Sequence, residues 1–136
     1  MKQIPKELPG LKWATALLGV YAVIWMPVEG NLPLTVLLAG WAAAVMAGYL
    51  VQRQVGGRQL SGWQWVGLTA LSGLLLGFSA GILTLTFMAL KTGIHDHGPE
   101  FSRAEIDWVI ARIPSWTAAG LLAGAGLGLL TMKSEA

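Results

Sequence analysis

Of the 136 residues, 54% are hydrophobic and only 12% are charged, about half the charge density of an ordinary soluble domain. A net charge of +2, scattered along the chain, offers no basic face for nucleic acid, and the lack of cysteine excludes disulfides, thiolate metal sites and redox thiols. Apolar runs free of Asp, Glu, Lys and Arg recur, each long enough for the roughly 20 helical residues that cross about 30 Å of hydrocarbon. The expected fold class is therefore all-α: residues 1–136 form one integral membrane bundle of four transmembrane helices, with a short amphipathic surface helix between the third and fourth.

The segment "MKQIPKELPGLK" carries two prolines and three lysines and is expected to be a short tail at a membrane surface. Span one follows over 11–28. It is longer than a signal-peptide core and has no small-x-small site after it, so no cleaved leader is expected. The stretch "MPVEGNLP" then supplies turn chemistry through Pro27, Gly30, Asn31 and Pro33, predicting a tight hairpin into span two, 33–51. A polar loop, "QRQVGGRQLSG", leads to span three, 63–90. Its 28 residues would cover about 42 Å, more than the hydrocarbon needs, so this helix should tilt, protrude or break.

Next comes "KTGIHDHGPEFSRAEIDWVIARIPSW", which holds both histidines and four of the seven acidic residues. Within it, 102–113 has the pattern of an amphipathic helix. Ser102 and Glu105 stand at capping-box spacing, and Ile106, Val109, Ile110 and Ile113 fall on one stripe. Such a helix, placed directly before a span, is expected on the membrane surface or over the bundle mouth. Trp108 points away from the stripe. With Asp107 and Arg112 it makes a candidate surface for docking a partner, or it snorkels among headgroups. In "HDHG", His95 and His97 can share one side of an extended chain, with Asp96 and Glu100 nearby. That set could hold Zn²⁺ or Cu²⁺ or respond to pH, although a structural zinc site typically takes four protein ligands. The plainer expectation is a solvated turn at Gly98-Pro99. Span four, 114–132, closes the chain.

Small residues recur at every fourth position in three spans: Gly40, Ala44 and Gly48; Gly73, Gly77 and Gly81; Gly120, Gly124 and Gly128. This spacing keeps them on one helical face, where another backbone can approach closely. They are expected to pack helices together, within the protein or between subunits. Trp13, Trp25, Trp63 and Trp116 lie near span ends as interface anchors, and Trp41 lies deeper.

No ionisable side chain falls in mid-span, which weighs against proton coupling and haem ligation. Small multidrug transporters need a carboxylate in their first span, and "WATALLGVYAVIW" has none. The run "GFSAGILTLTF", 77–87, resembles the Gly-, Thr- and Phe-containing third helix of small dual-topology fluoride channels. That resemblance implies a four-helix channel, but the Gly-rich first-helix motif ending in Arg is missing and no family is assigned. For orientation, Lys2, Lys6, Lys12, Arg53, Arg58 and Lys133 fall on one side, against Lys91, Arg103 and Arg112 on the other. This imbalance predicts cytoplasmic termini, in a bacterial cytoplasmic membrane or an equivalent energy-transducing one. The functional expectation is a non-enzymatic accessory, stabilising or assembly subunit without a cofactor. It would work in a lipid bilayer with a membrane-protein partner or as a homo-oligomer. The alternative is a small oligomeric ion channel or transporter.

Overall fold

A computed structural model describes residues 2–28, 30–95, 98 and 100–133. Four helices, α1 (Leu11–Trp25), α2 (Leu32–Val55), α3 (Gly62–His95) and α4 (Arg103–Lys133), run alternately up and down. Two short strands, β1 (Lys2–Gln3) and β2 (Gln59–Leu60), pair antiparallel with Lys2 opposite Leu60 and Gln3 opposite Gln59. Among the described residues three helices, α2, α3 and α4, are long and apolar enough to cross a membrane.

Helix α1 is shorter than the expected span. Its 15 residues cover about 22 Å, less than the hydrocarbon thickness. The cause is Pro27, which has no N–H to donate to Val23, so the ladder stops after Met26 donates to the Ala22 carbonyl at 3.1 Å. The α1–α2 hairpin is tied by aromatic and hydroxyl groups. The Trp41 indole donates to the Ala14 carbonyl at 3.1 Å and the Tyr21 hydroxyl to the Leu34 carbonyl at 2.8 Å. Helix α2 starts at an Asn31 cap, whose side chain accepts from Leu34 N–H at 3.1 Å with Pro33 in the first turn.

Helix α3 is unbroken over 34 residues, or about 51 Å. Nor is the surface helix separate from the fourth span. Residues 103–133 form one helix with Pro114 inside it. Pro114 removes one backbone donor, yet the faces on either side of it stay in phase. Val109 and Ile113 before the proline, and Trp116, Gly120 and Gly124 after it, all turn towards α3. A partner helix that runs alongside both halves thus holds them on one axis, which outweighs the local signal of the proline. The expected capping box does form at its start: Glu105 N–H donates to Ser102 Oγ at 3.1 Å, and Ser102 N–H to the Glu105 carboxylate at 3.0 Å.

The N-terminal tail, the 56–61 loop and the end of α4 lie together at one end. Ile4 N–H donates to the Arg58 carbonyl at 2.9 Å, Gly57 N–H returns to the Ile4 carbonyl at 2.8 Å, and Lys2 Nζ reaches the Thr131 carbonyl at 3.4 Å. Gly57 has φ +80°, a conformation that L side chains rarely adopt. The α1–α2 turn and the start of α4 occupy the opposite end. A small core of Met88, Phe101 and Val109, flanked by Leu32, Leu85, Ile106 and Trp116, sits there.

Candidate functional site

Three places hold most of the unusual chemistry: the α3–α4 seam, the end with the α1–α2 turn, and the outer face of α4.

At the seam, the two helices meet backbone to backbone. A Cβ built on Gly73 would run into the Gly120 carbonyl oxygen and come within 3.2 Å of Gly124 Cα. One on Gly77 would hit the Trp116 carbonyl oxygen and lie 3.1 Å from Thr117 Cα. One on Gly124 would meet the Thr69 carbonyl and lie 3.1 Å from Ala70 Cα. Backbone cannot step aside as a side chain can, so these positions exclude any Cβ at the present helix separation. Gly81 and Gly128 differ in degree. Gly81 faces the flexible Ile113 side chain at 2.6 Å, and Gly128 faces the Thr69 hydroxyl and Val66 Cα at 2.9 Å. The α2 positions do not join this seam: Gly40 has nothing within 4 Å, Ala44 is exposed, and a Cβ on Gly48 would first meet the Leu11 side chain at 2.9 Å.

At the turn end sits a residue that sequence reasoning left among the loop charges. Lys91 is 1% exposed, the largest fully buried side chain among the described residues. Its ammonium donates to the Trp25 carbonyl and stands 4.1 Å from the centroid of the Trp25 ring. The Trp25 indole in turn donates to Thr35 Oγ1 at 3.1 Å, and Thr35 is fully buried. The result is a polar junction of α1, α2 and α3. An ammonium under an aromatic face, with a carbonyl to donate to, recovers much of the stabilisation it loses on leaving water. Only the position of Lys91 at the end of an apolar run hinted at this role.

Glu100 belongs to the same end. Its carboxylate accepts from Gly30 N–H at 2.7 Å, tying the α1–α2 turn to the α3–α4 connection. A Cβ on Gly30 would collide with the Glu100 backbone, so only glycine fits that approach. Of the other candidate metal ligands, His95 ends α3, while its side chain, Asp96 and His97 lie outside the described residues. Among the described residues no group of three His, Cys, Asp or Glu side chains comes together.

On the outer face of α4, Trp108 is 41% exposed. Its ring meets Trp116 edge-on at 5.9 Å between centroids, and the Arg112 guanidinium lies 4.9 Å over it. Asp107 pairs with Arg103 at 3.5 Å, one turn away. The structure thus gathers Trp108 and Arg112 with Trp116, and leaves Asp107 on the neighbouring salt bridge. Trp116 lines both the core and this aromatic group, which links the outer face to the seam.

A cleft of about 540 Å³ opens between α2, α3 and α4 on the side of the N-terminal tail. Its walls include Ala47, Val51, Leu76 and Ala123, and Gly73, Gly120 and Gly124 lie along it. Thr69 also borders it, with its hydroxyl directed at the Trp65 and Val66 carbonyls of its own helix. Comparison with protein-family models, curated proteins and solved structures finds no match for this chain.

Proposed function

We propose that the protein is a non-enzymatic integral membrane subunit that stabilises or assembles a larger membrane complex. Its glycine-zipper pair, α3 and α4, would serve as a stiff stem carrying a docking patch at one end. The observation that carries this reading is the Trp108–Arg112–Trp116 group. Trp and Arg are the residues that most often dominate binding interfaces, and here they are pre-arranged on an exposed face. Because α4 runs through Pro114 without a separate surface helix, the patch is joined rigidly to the membrane-crossing stem. Pre-organisation of this kind lowers the ordering cost of association. Lys91, Trp25, Thr35 and Glu100 support the same reading, since their polar groups are engaged in holding the elements together.

We place both termini in the cytoplasm and the docking patch on the opposite side, following the Lys and Arg imbalance. The test is co-purification after gentle solubilisation. Wild-type protein should retain a stoichiometric membrane-protein partner or a second copy, and Trp108→Ala should release it while the helices stay folded. The cleft between α2, α3 and α4 favours one other reading, a small oligomeric channel or transporter. Ion flux through purified protein in liposomes, with no partner retained, would establish that reading instead.

A further inference from the structure

The cleft between α2, α3 and α4 has a definite floor, walls and roof. Glycine backbone at the α3–α4 seam forms the floor, Ala47 and Val51 of α2 form one wall, and Ala123 and Leu127 of α4 form the other. The roof is the N-terminal tail, where Ile4 is 3% exposed and held by backbone bonds on both sides. At about 540 Å³ it lies in the size range of small-ligand sites. Its lining is apolar, so water is a poor occupant. A second helix is a poor fit as well. A helix about 10 Å across fills roughly 420 Å³ per turn, so the cleft would take little more than one turn before the tail blocked it.

Charge at the roofed end points to a particular partner. Lys2 lines the cleft, with its ammonium 5.1 Å from the Trp65 ring centroid. Lys6, Lys12, Arg53 and Arg58 lie at the same end, and among the described residues the only carboxylate there is Glu7, paired with Lys12 at 3.8 Å. A thin apolar slot beside a cationic rim suits an acyl chain attached to a phosphate.

We propose that this cleft binds one acyl chain of an anionic phospholipid, with Lys2 at its headgroup phosphate. The tail and its β1–β2 pairing then act as a clamp over the bound lipid. The chain would fill the space that small side chains leave between α2 and α4, completing the packing of helices that α3 alone now joins.

Native mass spectrometry of the delipidated protein tests this, with phosphatidylglycerol and phosphatidylcholine of identical chains as the two titrants. One adduct should saturate first, with the anionic lipid favoured about fivefold, the effect of one surface cation on an anionic lipid. Ala123→Phe, or Ala47→Phe from the facing wall, fills the slot and should weaken both lipids more than about tenfold, since losing two buried methylenes already does so. Lys2→Gln should bring phosphatidylglycerol down to the phosphatidylcholine level. Leu122→Phe, at a position 72% exposed, should change neither. Helix content by circular dichroism confirms that each variant is folded. Adducts that accumulate without a preferred first site, or that ignore both slot-filling variants, would overturn the proposal. So would a slot-filling variant that alters oligomer mass and not lipid occupancy, because the cleft would then belong to another copy of the chain.

Discussion

Two residues carry the most specific expectations. Lys91 is buried against the Trp25 ring and carbonyl, where three helices meet. Lys91→Met keeps much of the volume but leaves that carbonyl without its ammonium donor, a loss of about 1–3 kcal/mol. A thermal unfolding scan in detergent should show a clearly lower midpoint, whereas Lys6→Met, at an exposed position, should leave it unchanged. Trp108 is the second. If it anchors a partner, its removal should weaken that contact by more than about tenfold, as interface aromatics commonly do, with little change in the unfolding midpoint. Changing both His95 and His97 to Gln should leave assembly intact. Bound metal at one ion per chain, measured by elemental analysis and lost in the double variant, would instead assign that segment to metal binding. Lys91 was hard to read from sequence because a lysine at the end of an apolar run is usually solvated or snorkelling. Its burial depends on Trp25, 66 positions away, and no local pattern encodes that pairing. Glu100 shows the same limit. Its spacing from the histidines suggested a ligand, while the folded chain presents it to the Gly30 amide.

At the scale of elements, apolar runs and turn residues located α2 and α3 well, and the capping box marked the start of α4. The misplacements came where distant packing competes with local chemistry. Pro114 looked like a boundary, and the in-phase contact with α3 carried the helix through it. Pro27, by contrast, does end its helix, at the last bond from Met26 N–H to the Ala22 carbonyl. The strands β1 and β2 have two residues each, too few for any alternation to show. The four-residue glycine spacing identified faces but not which face met which. Among the described residues only α3 and α4 interlock through glycine backbone, and α2 turns Gly40 and Ala44 to open space. Gly77→Leu and Gly124→Leu should therefore separate α3 from α4 and lower stability by about 1–3 kcal/mol or more, as overpacking does. Gly67→Leu, where a side chain meets nothing within 4 Å, should be mild. Equal effects at all three positions, read from unfolding midpoints, would remove the special role of the seam.

For the whole molecule, the two ends are distinct in structure and in charge. Lys2 and Lys6 of the tail, Lys12 at the start of α1, Arg53 at the end of α2 and Arg58 of the 56–61 loop lie at one end. Arg103, Arg112 and Trp108 mark the other. Under the proposed orientation, which follows the positive-inside rule, the tail end faces the cytoplasm. Single cysteines at Arg58 and at Arg103, whose side chain is 89% exposed, should respond oppositely to an impermeant thiol reagent in intact cells, with Arg103→Cys the one labelled. The reverse result would invert the orientation and put the docking patch inside the cell. The central claim, that this chain works by holding a partner through α4, is tested most directly by the mass of the gently solubilised particle, corrected for detergent. The account predicts a wild-type mass well above the 14.4 kDa of one chain, falling to that value on Trp108→Ala with helix content retained. A wild-type particle that already has the mass of a single chain would contradict it.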